Sequence, residues 1–150
     1  MPLLNRKVDY ALLILCYLHQ KETGGCAREI AARFKLSRPF VANILKDLCQ
    51  QDYVASHRGV KGGYVLRPHT GGHTLADLID ALDDTVQLAE CNATPPDGCC
   101  DLLDQCPIRG PIGEVHRRIR EVLESVTLAD LFQQSMVDQP LQLDLSRCEK

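Results

Sequence analysis

Residues 36–66 read LSRPFVANILKDLCQQDYVASHRGVKGGYVL, and two signals sit back to back in them. Phe40, Val41, Ile44, Leu45 and Leu48 recur at three- and four-residue steps, the spacing of one inward helix face. Ser37 stands where a helix wants its N-cap, and Pro39 falls in the first turn, where a backbone N–H has no internal partner anyway. This predicts a helix running to about residue 51. After it, YVA (53–55) and YVL (64–66) are short β-prone runs. Between them lies HRGVKGG (57–63), a basic loop whose glycines admit positive φ and close backbone approach. The stretch therefore predicts a helix followed by a β-hairpin.

Working outward, residues 27–34 predict a short helix burying Ile30, Ala31 and Phe34, with Lys35 and Leu36 as the turn into the next. KETGG (21–25) breaks the chain before it. Val8, Ala11, Leu12, Leu15 and Leu18 predict a first amphipathic helix over 6–20. Two short helices joined by a tight turn, then a basic hairpin, make a helix-turn-helix with a wing. Downstream, 74–82 reads as a helix in which Thr74 and Asp77 form a capping box with Asp in place of Glu. The string TLADL at 74–78 recurs at 127–131, the same N-cap solution used twice. Ile112, Val115, Ile119, Val122 and Val126 repeat at 3, 4, 3 and 4, a heptad-like seam on a helix whose other faces are charged, and so a dimer seam. The expected fold is mainly α with a small β-wing: a winged helix-turn-helix over 1–72, a cysteine loop and dimerisation helices over 73–135, and a flexible polar tail over 136–150.

Charge divides the chain in the same place. Residues 1–72 hold eleven Lys/Arg against five Asp/Glu, a net of +6; residues 73–150 hold six against fifteen, a net of −9. Only the first half is suited to meet a polyanion. The longest apolar run, 10–18, is too short to cross a bilayer, and the N-terminal residues carry no secretory signal, so a cytoplasmic protein without membrane contact is expected. Of eight cysteines, four (Cys91, Cys99, Cys100 and Cys106) fall within sixteen residues, which reads as a site for a metal or an iron–sulfur cluster rather than a disulfide framework. No phosphate loop, Cys-x-x-Cys or nucleophile with an evident base is present, so no enzyme is expected.

In a helix-turn-helix the N-terminal part of the second helix meets the major groove. Here that part carries Ser37, Arg38, Phe40, Val41 and Asn43. Arg38 suits guanine or phosphate, Asn43 suits adenine, and Lys46, a turn further on, suits phosphate. Arg28 and Arg33, with Arg6 and Lys7, are expected on the DNA backbone, and Arg58 and Lys61 in a minor groove or on phosphate.

These strings resemble a known family. LSRPFVANILKDL (36–48), SHRGVKGGY (56–64) and the opening KVDYAL (7–12) are similar to the Rrf2 family of bacterial winged-helix regulators, the IscR and NsrR type, over about residues 1–135. The resemblance implies a homodimeric transcription factor, often a repressor, on a palindromic operator. It also implies an iron–sulfur cluster (2Fe–2S or 4Fe–4S) on three cysteines placed between the wing domain and the dimer helix. Cys100 and Cys106 match the family spacing of the last two ligands, with Cys99 as a substitute for Cys100; the step from Cys91 to Cys100 carries an insertion. The cluster-assembly branch places a histidine where this chain has Arg109; the nitric-oxide-sensing branch takes an aspartate from the partner's first helix, matched here by Asp9. The implied signal is iron–sulfur status, nitric oxide or redox stress. A thiol-redox regulator of the same fold without a cluster, a zinc site, and a cluster carrier that binds no DNA are the competing readings.

Overall fold

The computed structural model describes residues 4–59, 62–82, 86–89, 91, 101–102 and 105–135. Lys61, Cys99, Cys100 and the predicted tail over 136–150 lie outside the described residues. Three helices come first: α1 (Arg6–Gln20), α2 (Ala27–Phe34) and α3 (Arg38–Gln50). A hairpin of β1 (Val54–His57) and β2 (Gly63–Leu66) follows, paired antiparallel with Val54 opposite Leu66 and His57 opposite Gly63. Then come α4 (Leu75–Ala81), α5 (Arg109–Ser125) and α6 (Leu128–Gln134).

Each of the first three helices starts and stops for a local reason. Asn5 caps α1, its Oδ1 accepting from the Val8 N–H at 2.9 Å. On α1 the buried stripe is Val8, Ala11, Ile14, Leu15 and Leu18. Leu12, expected inside, is half-buried, and Ile14 takes its place because the face turns toward α3, β2 and α6 together. α2 ends at Lys35, which adopts the left-handed conformation (φ 55°, ψ 41°) without being glycine. The Leu36 N–H then reaches back to the Ala31 carbonyl at 2.9 Å, closing the turn. Ser37 does occupy the N-cap of α3, but its hydroxyl makes no capping hydrogen bond, contrary to the sequence expectation. Pro39 in the first turn removes one donor that would otherwise need a partner.

The glycines at 24 and 25 do more than break α1. Gly25 pairs with Tyr64 as a one-residue third strand, with N–H···O distances of 3.0 and 2.8 Å. A Cβ on Gly24 would lie 2.5 Å from the Tyr64 carbonyl oxygen, and φ there is +79°. The wing is thereby laid against the start of α2. Its other end is braced by Asp52, which pairs with Arg67 at 3.0 Å and with His69 at 3.3 Å, and by the buried Thr70, whose hydroxyl donates to the Tyr53 carbonyl at 2.7 Å.

The two TLADL strings form two capping boxes. Thr74 accepts from the Asp77 N–H at 3.1 Å while Asp77 accepts from the Thr74 N–H at 2.8 Å; Thr127 and Asp130 repeat this at 3.2 and 3.0 Å. Thr74 and Thr127 face each other in an antiparallel bridge, with Leu75 N–H on the Val126 carbonyl and Leu128 N–H on the His73 carbonyl, both at 2.8 Å. α4 and α6 therefore spring from one point. Val126, read as the last seam residue, has left the helix: α5 ends at Ser125, and the Val126 backbone is extended because its carbonyl is used in that bridge. One core joins the parts, with Leu15, Leu18, Ile44 and Leu45 in the same buried cluster as Leu78, Leu128 and Phe132.

Candidate functional site

The helix-turn-helix sorts its residues by face. On α3, Val41, Ile44, Leu45 and Leu48 are at most 1% exposed. At 100° per residue, Asn43 and Lys46 fall opposite that stripe, while Arg38, in the first turn, projects beside Leu45 at its edge. All three are exposed, as is Ser37 just before them. Phe40 sits at the border of the two faces: it is half-buried and meets the Tyr10 ring edge-on, with centroids 5.4 Å apart. The structure thus sets Phe40 with the packing residues and the other four with the solvent.

Arg28 is exposed on α2, which packs against α3. Arg33 is exposed and lies over the Phe34 ring at 5.9 Å. Arg6 is exposed, whereas Lys7 points inward, paired with Asp47 at 2.8 Å and donating to the Leu82 carbonyl at 3.3 Å, so it ties α1 to α3 and to the end of α4. Arg58 is exposed in the wing loop. Lys21, Tyr17 and Glu29 lock α1 to α2: the Tyr17 hydroxyl donates to Glu29 at 2.7 Å and Lys21 pairs with the same carboxylate. The Lys21 hydrogen bond, then that from Tyr17, holds the Glu29 carboxyl below its ordinary range.

At the cysteine site, Cys91 and Cys106 are both half-buried thiols, and Asp9 is exposed in the first turn of α1. Cys106 stands three residues before α5, and its carbonyl receives the Arg109 N–H at 3.4 Å. Among the described residues no three of His, Cys, Asp and Glu are grouped so as to hold a metal ion, so Asp9 is not grouped with Cys91 and Cys106 of its own chain. No helix is long and apolar enough to cross a membrane among the described residues.

Residues 4–134 match the Rrf2 family, described as "Iron-dependent Transcriptional regulator". The chain belongs to the Rrf2 family. A regulator called NsrR from Geobacillus kaustophilus is 27% identical over 132 residues, covering 87% of this chain and 89% of its own. Among solved structures, CymR, the global cysteine regulator of B. subtilis, superposes with a TM-score of 0.71 at 28% identity, over 89% of this chain and 98% of that one. IscR of T. potens gives 0.69 at 25% identity, over 93% and 92%. As an Rrf2 member the chain is a DNA-binding transcriptional regulator, not an enzyme.

Local periodicity could not reveal the wing braces of this Rrf2 head. Asp52, Arg67 and Thr70 lie up to eighteen residues apart, and Gly25 and Tyr64 thirty-nine. The one local signal was the glycine pair itself, which reads equally well as a loop.

Proposed function

We propose that the chain is a homodimeric repressor that reads a palindromic operator with α3 and the wing, and that an iron–sulfur cluster in the cysteine loop controls its grip. The reading region is residues 1–72 and the sensing and dimer region 73–135. The observation that supports it most is the place of Cys106: a half-buried thiol three residues before α5, a helix none of whose residues is buried.

Arg38 and Asn43 contact base edges; Arg28, Ser37, Lys46, Arg58 and Lys61 contact phosphate or the minor groove, and Phe40 braces α3 from the Tyr10 side. The donor set suits the family's group. Cys91, Cys106 and Cys100 (or Cys99) offer three thiolates, and Asp9 of the partner subunit offers a carboxylate, a weaker fourth ligand than a thiolate. When bound, the cluster supplies a redox-active centre whose potential follows its ligands and their exposure. The chain's own part is mechanical. Cys106 ties the loop to the start of α5, and the seam residues Ile112, Val115 and Val122 carry α5 against its partner, while Ile119 of the same seam packs on its own core. A loop that changes shape therefore shifts one reading head relative to the other. Breaking a single bidentate pairing with a base in such a shift costs about 1–3 kcal/mol.

Anaerobic purification with absorption spectra and iron and sulfide assays tests the cluster. A coloured protein with stoichiometric iron and sulfide is expected; a colourless one with stoichiometric zinc overturns it. Cys106→Ala is expected to keep the fold and lose cluster-dependent control of DNA binding. A second reading, control by thiol oxidation without a cluster, draws support from three further half-buried thiols, Cys16, Cys26 and Cys49. Release of the operator by peroxide from iron-free protein would select it.

A further inference from the structure

Among the described residues, the backbone of α5 is tied to the rest of the chain at its C-terminal end. Its last residue, Ser125, runs into Val126, whose carbonyl receives the Leu75 N–H at 2.8 Å in the Thr74–Thr127 bridge. Two backbone hydrogen bonds at one point make a pivot, not a bearing: a helix so held can still swing. Ile119 and Leu123 rest on the core, but apolar contacts of half-buried side chains can slide. What fixes direction is a second attachment further along the axis.

Arg120 provides it. Its guanidinium donates through Nη1 to Asp80 Oδ1 at 2.9 Å and through Nη2 to Asp80 Oδ2 at 2.5 Å, and its Nε donates to Glu124 at 2.8 Å. Asp80 stands on α4, whose Leu78 and Ile79 are buried in the core. The planar fork accepts a carboxylate in one orientation, which a lysine ammonium does not impose. The ion pairs of Arg117 and Arg118 run along the helix to Glu114 and Glu121; that of Arg120 to Asp80 leaves it. Arg120 lies six residues from Val126, about 9 Å along the axis at 1.5 Å per residue. Pivot and fork together define a line. Beyond the fork α5 continues to Arg109, so a swing of about 10° at the bridge moves that end by about 4 Å.

We propose that Asp80 and Arg120 are positioning residues that set the angle between α5 and the reading head, and thereby the half-site spacing that the dimer accepts on DNA. The inference rests on the proposed dimer through α5. In such a dimer each head is a rigid arm, and half-site spacing is a geometric consequence of arm angle. The pair is part-exposed, so its contribution to stability is small. Its effect lies in direction.

The test uses the full-length chain as Asp80→Asn, Arg120→Lys and the charge swap Asp80→Arg with Arg120→Asp. A half-site is first selected from random duplexes. A second pool then presents two inverted half-sites at every spacer length. Wild type is expected to prefer one spacing; the two single variants, still dimeric and with an unchanged unfolding midpoint, lose about fivefold or more of that discrimination, the low end of coupling between distant sites. The swap restores it in part. Dimers of both single variants that keep the wild-type spacing preference overturn this inference alone. A wild-type chain that binds DNA as a monomer overturns the dimer reading and this inference with it.

Discussion

Two residues with left-handed backbone show opposite solutions to one problem. Gly24 holds φ +79° against the wing, with no room for a methyl group beside the Tyr64 carbonyl and the Val65 side chain. Gly24→Ala adds strain of about 1–2 kcal/mol from the backbone and about 1–3 kcal/mol from overlap. A loss of about 2–5 kcal/mol in urea unfolding is therefore expected, and a loss under about 1 kcal/mol would mean that the wing can move off the α1–α2 connection. Lys35 carries a similar φ in the helix-turn-helix turn while keeping its side chain exposed. In the exposed first turn of α3, Arg38→Ala is expected to cost about 1–3 kcal/mol of operator binding and to relax preference at one base position. A uniform loss across all duplexes, with sequence preference intact, would reassign Arg38 to phosphate. The faces of α3 were legible from the 3.6-residue period. The inward turn of Lys7 was not, because Asp47 and the Leu82 carbonyl that hold it come from elsewhere in the chain.

At the scale of elements, side-chain caps fix where α1, α4 and α6 begin. Hydrogen bonds within the Thr74 and Thr127 boxes hold the Asp77 and Asp130 carboxyls below their ordinary range; for Asp77 the Thr74 backbone N–H leads, and for Asp130 the Thr127 hydroxyl. A folded pKa below the unfolded one stabilises at neutral pH. That contribution begins to fade as pH falls past the unfolded value, about 3.9, and is gone below the folded one. The double variant Asp77→Asn with Asp130→Asn is therefore expected to show a shallower loss of stability on acidification through that window, read by thermal melts at stepped pH. An unaltered slope would remove the two boxes from the acid response. Along α5, Val115 is 47% exposed, so no described residue of its own chain covers it fully. Val115→Asp is expected to leave helix content unchanged by circular dichroism while shifting sedimentation to the monomer. A variant that stays dimeric moves the interface off the seam. The heptad spacing announced this helix, but the register of its last residue failed, since Val126 is claimed by a backbone bridge that no side-chain period encodes.

Among the described residues one buried core spans the two halves that differ in charge. Phe132 on α6 is 2% exposed, stacks on His19 of α1 at 4.8 Å, and shares a core with the recognition helix. Phe132→Ala is expected to cost about 3–5 kcal/mol and to speed hydrogen exchange in α1 as well as α6. Exchange confined to α6 would show two independent units instead. The chain is acidic overall, at −3, yet DNA binding is expected to weaken steeply with salt, because the +6 half is the one suited to phosphate. Lys46→Ala should flatten the plot of log affinity against log salt by about 1 per protomer. An unchanged slope would place Lys46 off the DNA.

By itself the amino-acid sequence determined the helices, the hairpin and the exposed basic face, because each depends on residues within a turn or two of one another. Periodicity, capping and glycine placement are local and leave local marks. Tertiary structure alone decided how Gly25 and Asp52 hold the wing at both ends and that Arg120 of α5 pairs with Asp80 of α4. Those relations join residues as many as forty positions apart, where only the packed core brings the partners within reach.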